Sequence, residues 1–300
     1  MRTDLHIHSL HSNDADFGIP EIIEKCHDCG IDTFSITDHN SIAGSIEAES
    51  LTAALEGMHF IPGIEIDCNF RGTDLHLLGY HVDLRSDDFH SLERRVNQQH
   101  MDAVPQMVRN LEKLGIPVDQ DEVMNAAGGV PPSGELIAEV LLRNPVQQSN
   151  PLLKPYLTGG ERSDMPLINF YLDFFAQGKP AYVRIEHIPF REAVDLVRDN
   201  GGIPIVAHPG LNFAGREHEV GELLDRGAAG LEVFNNYHEP GQAEYFAELS
   251  RKRAVKMTCG SDFHGKNKPL ISIGQYIRPG IYRDYLERSL SGILEYGINQ

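Results

Sequence analysis

Histidines and carboxylates stand along this sequence at spacings that suit metal binding. The chain has 15 histidines, and His6 and His8 lie two residues apart in an apolar run, so on a strand both side chains leave the same face. Further candidates lie on or just after similar runs, namely Asp38, His39, Glu65, His76, His208, Asp262 and His264. Imidazole and carboxylate ligands suit Zn, Mn or Fe, and the absence of thiolates argues against a purely structural zinc site. The set is too large for one ion, so it predicts a cluster of metal ions, an arrangement that suits hydrolysis.

These residues stand near the ends of predicted strands. Short β-branched or apolar runs alternate with helical patterns, which is typical of a parallel sheet with helices outside it. Strands are predicted at residues 3–8, 32–37, 59–66, 75–82, 181–185, 203–207, 230–234, 254–259 and 272–277. About seven or eight strand–helix units, interrupted once, indicate a closed α/β barrel. The C-terminal ends of its strands would bring the candidate ligands to one mouth.

One long segment interrupts the alternation. Residues 87–179 are helical and irregular, and they are broken by paired glycines and prolines at residues 128–132. We therefore expect residues 1–86 and 180–300 to form the barrel and residues 87–179 to form an inserted helical subdomain.

The charge balance limits the partners. With 26 Lys and Arg against 44 Asp and Glu, the formal net charge is −18. This field repels nucleic-acid backbones, so duplex nucleic acid is not expected, whereas bound cations can still attract a small anion. No apolar run approaches the ~18 residues of a membrane span, so no membrane partner is expected. The start lacks an apolar leader, and the four cysteines include only one C-x-x-C, Cys26 and Cys29, in a helical pattern, which favours a cytoplasmic protein with reduced thiols. No heptad stands out, so the oligomeric state stays open.

Five short motifs resemble those of the PHP (polymerase and histidinol phosphatase) family. They are residues 4–9 (DLHIHS), 37–40 (TDHN), 63–66 (GIEI), 207–210 (AHPG) and 260–264 (GSDFH). The resemblance covers residues 1–84 and about 180–280, and it implies a distorted (β/α)7 barrel, three divalent Mn, Zn or Fe ions and phosphoester hydrolysis. Residues 75–80 and 230–234 resemble the small-molecule and nucleotide phosphoesterase branch, in which a helical insertion shapes the substrate pocket.

The resemblance also implies a ligand set for each ion. The first ion would be held by His6, His8, Glu65 and Asp262, the second by Glu65 as a bridge with His76 and His208, and the third by Asp14, His39 and His264. Asp14 follows Ser12-Asn13, whereas the common family form is Ser-Asp-Gly. We expect Asp38 to orient a ligand imidazole.

A hydrolytic mechanism follows from these charges. A hydroxide that bridges the metals would attack phosphorus in line, and the cations would stabilise the transition state. The leaving alkoxide needs a proton, and His208, or a water beside Asp262, is the candidate catalytic acid. Basic side chains would hold the phosphoryl group. The expected substrate contacts are Arg162, Arg184, Lys266 and Lys268, joined by His238, which matches a family pattern.

The predicted function is hydrolysis of a small phosphorylated metabolite. A nucleoside 3′,5′-bisphosphate or oligonucleotide end and a cyclic phosphodiester of a phosphorylated sugar are the leading substrates, and histidinol phosphate ranks lowest. Two alternatives from other classes stay open. One is a metal-dependent amidohydrolase that cleaves C–N bonds, for which a lysine ligand at a strand end would be the sign, and none is found. The other is a non-catalytic metal-binding accessory module, against which the complete ligand set argues.

Overall fold

The computed structural model describes residues 2–298 of the chain, and its central feature is one sheet that curves into a nearly closed barrel. Its strands are β1 (Thr3–Ile7), β2 (Thr33–Ile36), β3 (His59–Phe70), β4 (Thr73–Tyr80), β5 (Ile188–Pro189), β6 (Ile203–Val206), β7 (Gly230–Phe234) and β8 (Lys256–Cys259). The order around the barrel is β1-β2-β3-β4-β6-β7-β8, and the short β5 pairs with β3. The predicted fold, a distorted α/β barrel with inserted helices, is confirmed.

The barrel closes between β1 and the segment that follows β8. The His8 amide donates a hydrogen bond to the Phe263 carbonyl at 3.0 Å, and the Asp262 amide donates to the His6 carbonyl at 2.8 Å. These bonds set His6 and Asp262 side by side, although the two residues come from opposite ends of the chain.

Helices surround the sheet and form most of the inserted segment. They are α1 (Ile19–Asp28), α2 (Ala43–Thr52), α3 (Asp87–Lys113), α4 (Gln120–Ala127), α5 (Gly134–Arg143), α6 (Pro166–Phe174), α7 (Phe190–Asp199), α8 (Pro209–Asn212), α9 (Val220–Asp225), α10 (Pro240–Arg253) and α11 (Arg283–Ile298). The side chains of Ser86, Asp119 and Ser133 accept amide hydrogen bonds and so cap the starts of α3, α4 and α5. Within residues 2–298, no helix combines the length and the apolar character that crossing a membrane requires.

β4 runs antiparallel to both of its neighbours, β3 and β6. The parallel arrangement expected for residues 75–82 is therefore wrong. Arg71 and Gly72 join β3 to β4 with φ angles of 51° and 85°, and a two-residue turn of this kind connects antiparallel strands, whereas a parallel crossover needs about a dozen residues or more. As a consequence the start of β4 lies beside the end of β3, where the register pairs His76 with Asp67.

Two of the predicted strands are not strands in the described part of the chain. Residues 181–185 form a turn and an irregular connection, in which the Tyr182 amide donates back within a turn at 3.1 Å. Residues 272–277 form a turn in which Gly274 has a φ of 77° and its amide donates to the Asp4 carboxylate at 2.6 Å. Because these backbone groups are satisfied inside turns or by side chains, they do not extend the sheet.

The barrel and the inserted segment have separate hydrophobic clusters. The cluster of the inserted segment contains Ile137 from α5 and Phe170 from α6. α3 joins the two clusters, because Phe89 near its start packs with the barrel and Val108 further along packs with the insertion. The two clusters support a division into a barrel and a helical insertion at residues 87–179, and we retain that division as a proposal.

Candidate metal centre

Potential metal ligands converge at the mouth of the barrel. Among residues 2–298, four groups of side chains have ligand atoms within 4.8 Å of one another. The groups are His6, His8, Glu65 and Asp262; Glu65, His76 and His208; His8, Asp14, His39 and His264; and His39, Asp67 and His76. The first three bring together all the ligands expected from the sequence, in the expected groupings, with His8 shared between two of them. The fourth adds Asp67, which is not among the ligands expected from the sequence.

Glu65 lies at the centre of the mouth and is only 1% exposed. Its Oε1 lies 3.1 Å from His76 Nδ1 and 3.2 Å from His208 Nε2. Its Oε2 lies 3.3 Å from His6 Nε2 and 3.1 Å from His8 Nε2. Oε2 also lies 3.4 Å from His39 Nδ1. Each oxygen therefore faces a different set of imidazoles, which suits a carboxylate that bridges two cations.

Asp262 uses its two oxygens differently. Its Oδ1 lies 3.2 Å from His6 Nε2 and 3.1 Å from His8 Nε2, and it makes no hydrogen bond to any described residue. Its Oδ2 accepts hydrogen bonds from Lys268 Nζ at 2.7 Å and from the Tyr237 hydroxyl at 2.5 Å. The backbone of Asp262 has a φ of 56°, which is uncommon outside glycine and often marks a functional site. The first oxygen is available to an ion, and the second is held by the protein.

Asp14, His39 and His264 form the third group. Asp14 Oδ2 lies 3.2 Å from His264 Nε2 and 3.7 Å from His39 Nε2, and the Ser12 hydroxyl donates to Asp14 Oδ1 at 2.8 Å. His264 Nε2 is buried and makes no hydrogen bond within residues 2–298, while its Nδ1 bonds the Asp262 carbonyl at 3.0 Å. A buried nitrogen without a hydrogen bond, beside a carboxylate, is an atom that a cation would satisfy.

The ionisation of these side chains fits cation binding. Burial alone would lower the pKa of His6, but the surrounding carboxylates, Glu65 first, outweigh burial and raise that pKa well above its usual value. Burial would raise the pKa of Glu65, but the surrounding histidines, His6 first, hold it well below its usual value. Burial, aided by a neighbouring histidine and lysine, lowers the pKa of His264 to about 4, so its ring is neutral and can offer a lone pair. Cations would take the place of the protons that balance these carboxylates.

Two carboxylates behind the ligands orient the imidazole rings. Glu232 is fully buried and lies 3.0 Å from His6 Nδ1, and it also accepts from the His208 backbone amide at 2.8 Å. Asp67 lies 3.1 Å from His39 Nδ1. With their protons on Nδ1, both rings donate to these carboxylates and turn Nε2 towards the mouth.

The sequence contained a signal for each of these two carboxylates. Asp67 stands two residues after Glu65 on β3, so both side chains leave the same face. Glu232 is the one acid in the buried apolar run of β7, and a buried acid needs a partner. Asp38, which was expected to orient an imidazole, instead accepts hydrogen bonds from the Ser9 amide at 2.6 Å and the Ser9 hydroxyl at 2.7 Å, and so fixes the loop after β1.

Both ring nitrogens of His208, one of the two candidate catalytic residues, are engaged. Nδ1 lies 3.1 Å from Asn212 Oδ1, and Nε2 faces Glu65. A nitrogen that binds an ion does not also donate a proton, so the geometry suits His208 better as a ligand than as an acid. The catalytic role expected for His208 and for Asp262 stays a prediction.

Three of the predicted basic contacts lie away from the ligands or are paired. Arg162 bonds Asp173 inside the insertion through hydrogen bonds of 3.0 and 3.1 Å. Lys266 pairs with Glu139 of α5 at 3.0 Å. Arg184 is exposed in the connection before β5. Their part in substrate binding stays a prediction.

Lys268 and His238 lie close to the mouth and are already engaged. Lys268 is only 8% exposed, and its ammonium donates to the Tyr237 hydroxyl at 2.6 Å as well as to the carboxylate described above. His238 Nε2 accepts from the Gly210 amide at 2.8 Å, and its Nδ1 donates to a backbone carbonyl at 2.8 Å. Burial lowers the pKa of His238 to about 4, so this ring is neutral. The geometry favours positioning roles, and the expected substrate contacts of both stay predictions.

The insertion covers the third group of ligands. The Pro131 carbonyl accepts from Asn13 Nδ2 at 3.4 Å, directly beside Asp14 in the chain. Glu135, in the first turn of α5, is 5% exposed, and burial together with the nearby Asp14 raises its pKa to about 7. The insertion therefore places a buried acid close to the mouth.

Comparison with a family model supports the resemblance seen in the motifs. Residues 4–126 match the family model of the PHP domain, so this part of the chain is similar to PHP domains.

Relatives of this protein span most of its length at low identity. A 5′-3′ exoribonuclease from Haemophilus influenzae is 26% identical over 279 residues, which cover 89% of this chain and 94% of the relative. A phosphoribosyl 1,2-cyclic phosphate 1,2-diphosphodiesterase from Eggerthella lenta is 26% identical and covers 89% of this chain and 95% of the relative. A 3′,5′-nucleoside bisphosphate phosphatase from Chromobacterium violaceum is 25% identical, with 87% and 86% covered.

Solved structures share the fold. A protein from Chromobacterium violaceum described as an amidohydrolase aligns with a TM-score of 0.74 at 22% identity, over 96% of this chain and 97% of that chain. A protein from Bifidobacterium adolescentis described as a metal-dependent phosphoesterase aligns with a TM-score of 0.74 at 22% identity, over 96% of each chain. At this level of identity the likeness supports the fold alone.

Proposed function

We propose that this protein is a metal-dependent phosphoesterase of the PHP type that hydrolyses a small phosphorylated metabolite. The observation that carries the proposal is the arrangement around Glu65, whose two oxygens face different sets of imidazoles inside a buried mouth. Asp262 and His264 each add a buried atom that makes no hydrogen bond within residues 2–298. Imidazoles and carboxylates in such a set suit Mn, Zn or Fe.

The relatives support the reaction class. By name they are an exoribonuclease, a cyclic phosphate diphosphodiesterase and a nucleoside bisphosphate phosphatase, which confirms the predicted enzyme class of phosphoric ester hydrolases. The net charge of −18 opposes binding of long nucleic acid. The substrate we propose is therefore a nucleotide bisphosphate or a phosphosugar, including a cyclic phosphodiester.

The cofactors we propose are three divalent ions of Mn, Zn or Fe. The proposed ligands are His6, His8, Glu65 and Asp262 for the first ion, Glu65, His76 and His208 for the second, and Asp14, His39 and His264 for the third. When bound, such ions polarise phosphoryl oxygens and make a water molecule acidic enough to supply the nucleophile at neutral pH.

The chain's own residues prepare this site. Glu232 holds the ring of His6, and Lys268 with Tyr237 holds one oxygen of Asp262. Ligands fixed in this way need little rearrangement when a cation arrives. Burial of the mouth also excludes water, which strengthens the attraction between fixed charges and a phosphoryl group.

C–N hydrolysis of the amidohydrolase type is the second candidate class, and no specific observation favours it. Its sign would be a lysine ligand at a strand end. Lys268, which contacts a candidate ligand, donates hydrogen bonds to Asp262 and Tyr237 and is not free to bind an ion. The complete ligand set likewise disfavours a non-catalytic accessory module.

Hydrolysis assays combined with metal analysis test the proposal. The protein is loaded with Mn²⁺, Zn²⁺ or Fe²⁺, its metal content is measured by mass spectrometry, and hydrolysis of nucleoside bisphosphates, cyclic phosphodiesters, sugar phosphates and p-nitrophenyl phosphate is followed. We expect about three ions per chain and hydrolysis of at least one small ester. Protein that holds these ions and hydrolyses none of the esters would contradict the proposal.

A further inference from the structure

Three buried polar atoms without hydrogen bonds lie together at one edge of the mouth. They are Gln99 Oε1, His100 Nε2 and His187 Nδ1, none of which has a partner within residues 2–298. Gln99 and His100 belong to α3, and His187 directly precedes β5. The Gln99 side-chain amide donates to the Glu186 carbonyl at 3.2 Å, and the ring centroids of His100 and His187 are 6.4 Å apart. We call Gln99, His100 and His187 the α3 corner.

Strand register connects the α3 corner to the metal ligands. β5 pairs with β3 in parallel, with Ile188 opposite Cys68, so the preceding pair in this register is His187 and Asp67. The antiparallel pairing of β3 and β4 places His76 opposite Asp67. Side chains at matching positions on neighbouring strands share a face of the sheet. His187, Asp67 and His76 therefore form a row that leads from the α3 corner into the mouth.

The unpaired atoms of the α3 corner match hydroxyl groups. Gln99 Oε1 accepts a hydrogen bond, and an imidazole nitrogen accepts or donates according to its tautomer. Burial lowers the pKa of His100, so this ring is neutral near pH 7. A hydroxyl both donates and accepts, so hydroxyls can satisfy all three atoms. A phosphate dianion only accepts, and it would face the Gln99 oxygen and the Asp67 carboxylate unfavourably.

Two basic side chains that were expected to hold a phosphate are paired with carboxylates instead. Arg162 bonds Asp173, and Lys266 pairs with Glu139. Arg184 is exposed and stands three residues before His187 in the chain. A second phosphate beside the α3 corner could bind Arg184, and a variant of Arg184 tests for such binding.

We propose that the α3 corner binds hydroxyl groups of a sugar in the substrate, while the metal centre holds the phosphoryl group. The inference rests on the proposed function and narrows its substrate class to phosphate esters of polyhydroxy sugars with no second phosphate at this corner. A substrate without hydroxyl groups would leave these buried polar groups without hydrogen bonds. The site therefore selects for esters that carry hydroxyl groups.

Two kinds of ester separate the α3 corner from the metal centre. p-Nitrophenyl phosphate has no hydroxyl on its alcohol, so it reports on the metal centre alone, whereas a panel of sugar phosphates, each paired with its deoxy analogue, reports on the corner. In the metal-loaded full chain we expect at least one sugar phosphate to exceed its deoxy analogue in kcat/KM by about 10-fold. Gln99→Leu and His187→Leu should each lower kcat/KM for that sugar phosphate about 10-fold and change p-nitrophenyl phosphate hydrolysis by less than about threefold. The matched control is Gln98→Leu, an exposed neighbour on α3 that bonds Asp102, and it should change neither.

Each outcome has one meaning. Loss of the preference for hydroxyls in the Gln99 and His187 variants, with p-nitrophenyl phosphate hydrolysis kept, supports the inference. Equal hydrolysis of sugar phosphates and deoxy analogues, or a parallel fall in p-nitrophenyl phosphate hydrolysis, overturns it and leaves the proposed function standing. A preference for sugar bisphosphates that Arg184→Met abolishes also overturns it, because the corner would then serve a phosphate. Hydrolysis of nucleoside bisphosphates or cyclic phosphodiesters without hydrolysis of any sugar phosphate overturns the inference and leaves the proposed function standing. If metal-loaded protein hydrolyses none of these esters and no p-nitrophenyl phosphate, the proposed function fails and the inference falls with it.

Discussion

The barrel mouth and the helical insertion both contain charged side chains, and they use them in opposite ways. In the mouth, carboxylates and imidazoles crowd around Glu65, and some of their buried atoms make no hydrogen bond within residues 2–298. In the insertion, carboxylates pair with basic side chains: Asp173 pairs with Arg162 inside the insertion, and Glu139 pairs with Lys266 of the barrel. The mouth needs added cations to balance its buried charge, whereas these acids of the insertion are balanced by basic side chains of the chain itself. Metal binding and substrate shaping are therefore separable properties of this chain.

The sharpest test of this separation exchanges one buried acid in each region for its amide. Glu65→Gln removes the charge that faces five imidazoles and leaves a poor ligand in its place. We expect the metal content to fall from about three ions per chain to about one and phosphoester hydrolysis to fall at least about 10³-fold. Metal analysis by mass spectrometry and a hydrolysis assay measure the two effects.

Glu139→Gln is the matched control in the insertion. Glu139 is buried like Glu65, but it pairs with Lys266 and Arg143 and lies outside the ligand groups found among the described residues. We expect this variant to keep its metal content. Equal metal loss in both variants would show that the two regions are not separable.

A second test concerns the hydrogen bonds that hold Asp262. Without the Lys268 ammonium, Asp262 Oδ2 keeps the hydrogen bond from the Tyr237 hydroxyl but loses its ion pair, so it turns more readily towards an ion and into a position that substrate needs. We expect Lys268→Met to lower kcat about 10-fold with KM changed less than about threefold, and to make metal loss to a chelator no faster. Steady-state kinetics and chelator competition measure these quantities.

The same kinetics decide between two roles of Lys268. If Lys268 binds substrate, as the sequence predicts, Lys268→Met raises KM and leaves kcat nearly unchanged. Lys252→Met, an exposed lysine at the end of α10, serves as the control for loss of a positive charge. A rise in KM alone would show that Lys268 contacts substrate and does not position Asp262.

Much of the mouth was predictable because its residues follow simple positional rules. His6 and His8 stand two residues apart and so share a face. Several other ligands follow strand ends that meet at one edge, namely His39 after β2, His208 after β6, and Asp262 and His264 after β8. The antiparallel direction of β4 was also predictable. Only Arg71 and Gly72 separate residues 59–70 from residues 73–80, and so short a connection favours a hairpin, whereas the strand–helix alternation favoured a parallel sheet.

The roles of other side chains depend on contacts with residues that are far away in the chain. Glu232 becomes meaningful only beside His6, which is 226 residues distant, and Lys266 is engaged only because Glu139, 127 residues distant, lies next to it. Motif spacing identifies side chains that can bind an ion or a phosphate. It does not reveal which of them another part of the fold has already paired.

Glu135 belongs to the insertion but resembles the acids of the mouth, because it is buried and no basic side chain outweighs the effect of burial on its pKa. Burial and Asp14 raise its pKa to about 7 from an ordinary value of 4.5, so the folded chain holds this proton more tightly than the unfolded chain, and stability falls as pH rises between these two values. In metal-free protein we expect Glu135→Gln to match wild type in Tm near pH 4.5 and to exceed it by about 2–5 °C at pH 8. The difference should shrink in metal-loaded protein, because cations beside Asp14 favour the ionised carboxylate. Calorimetry at constant ionic strength measures this difference in Tm. If Glu135→Gln exceeds wild type in Tm by the same amount at both pH values, the effect comes from packing, and Glu135 belongs with the other acids of the insertion.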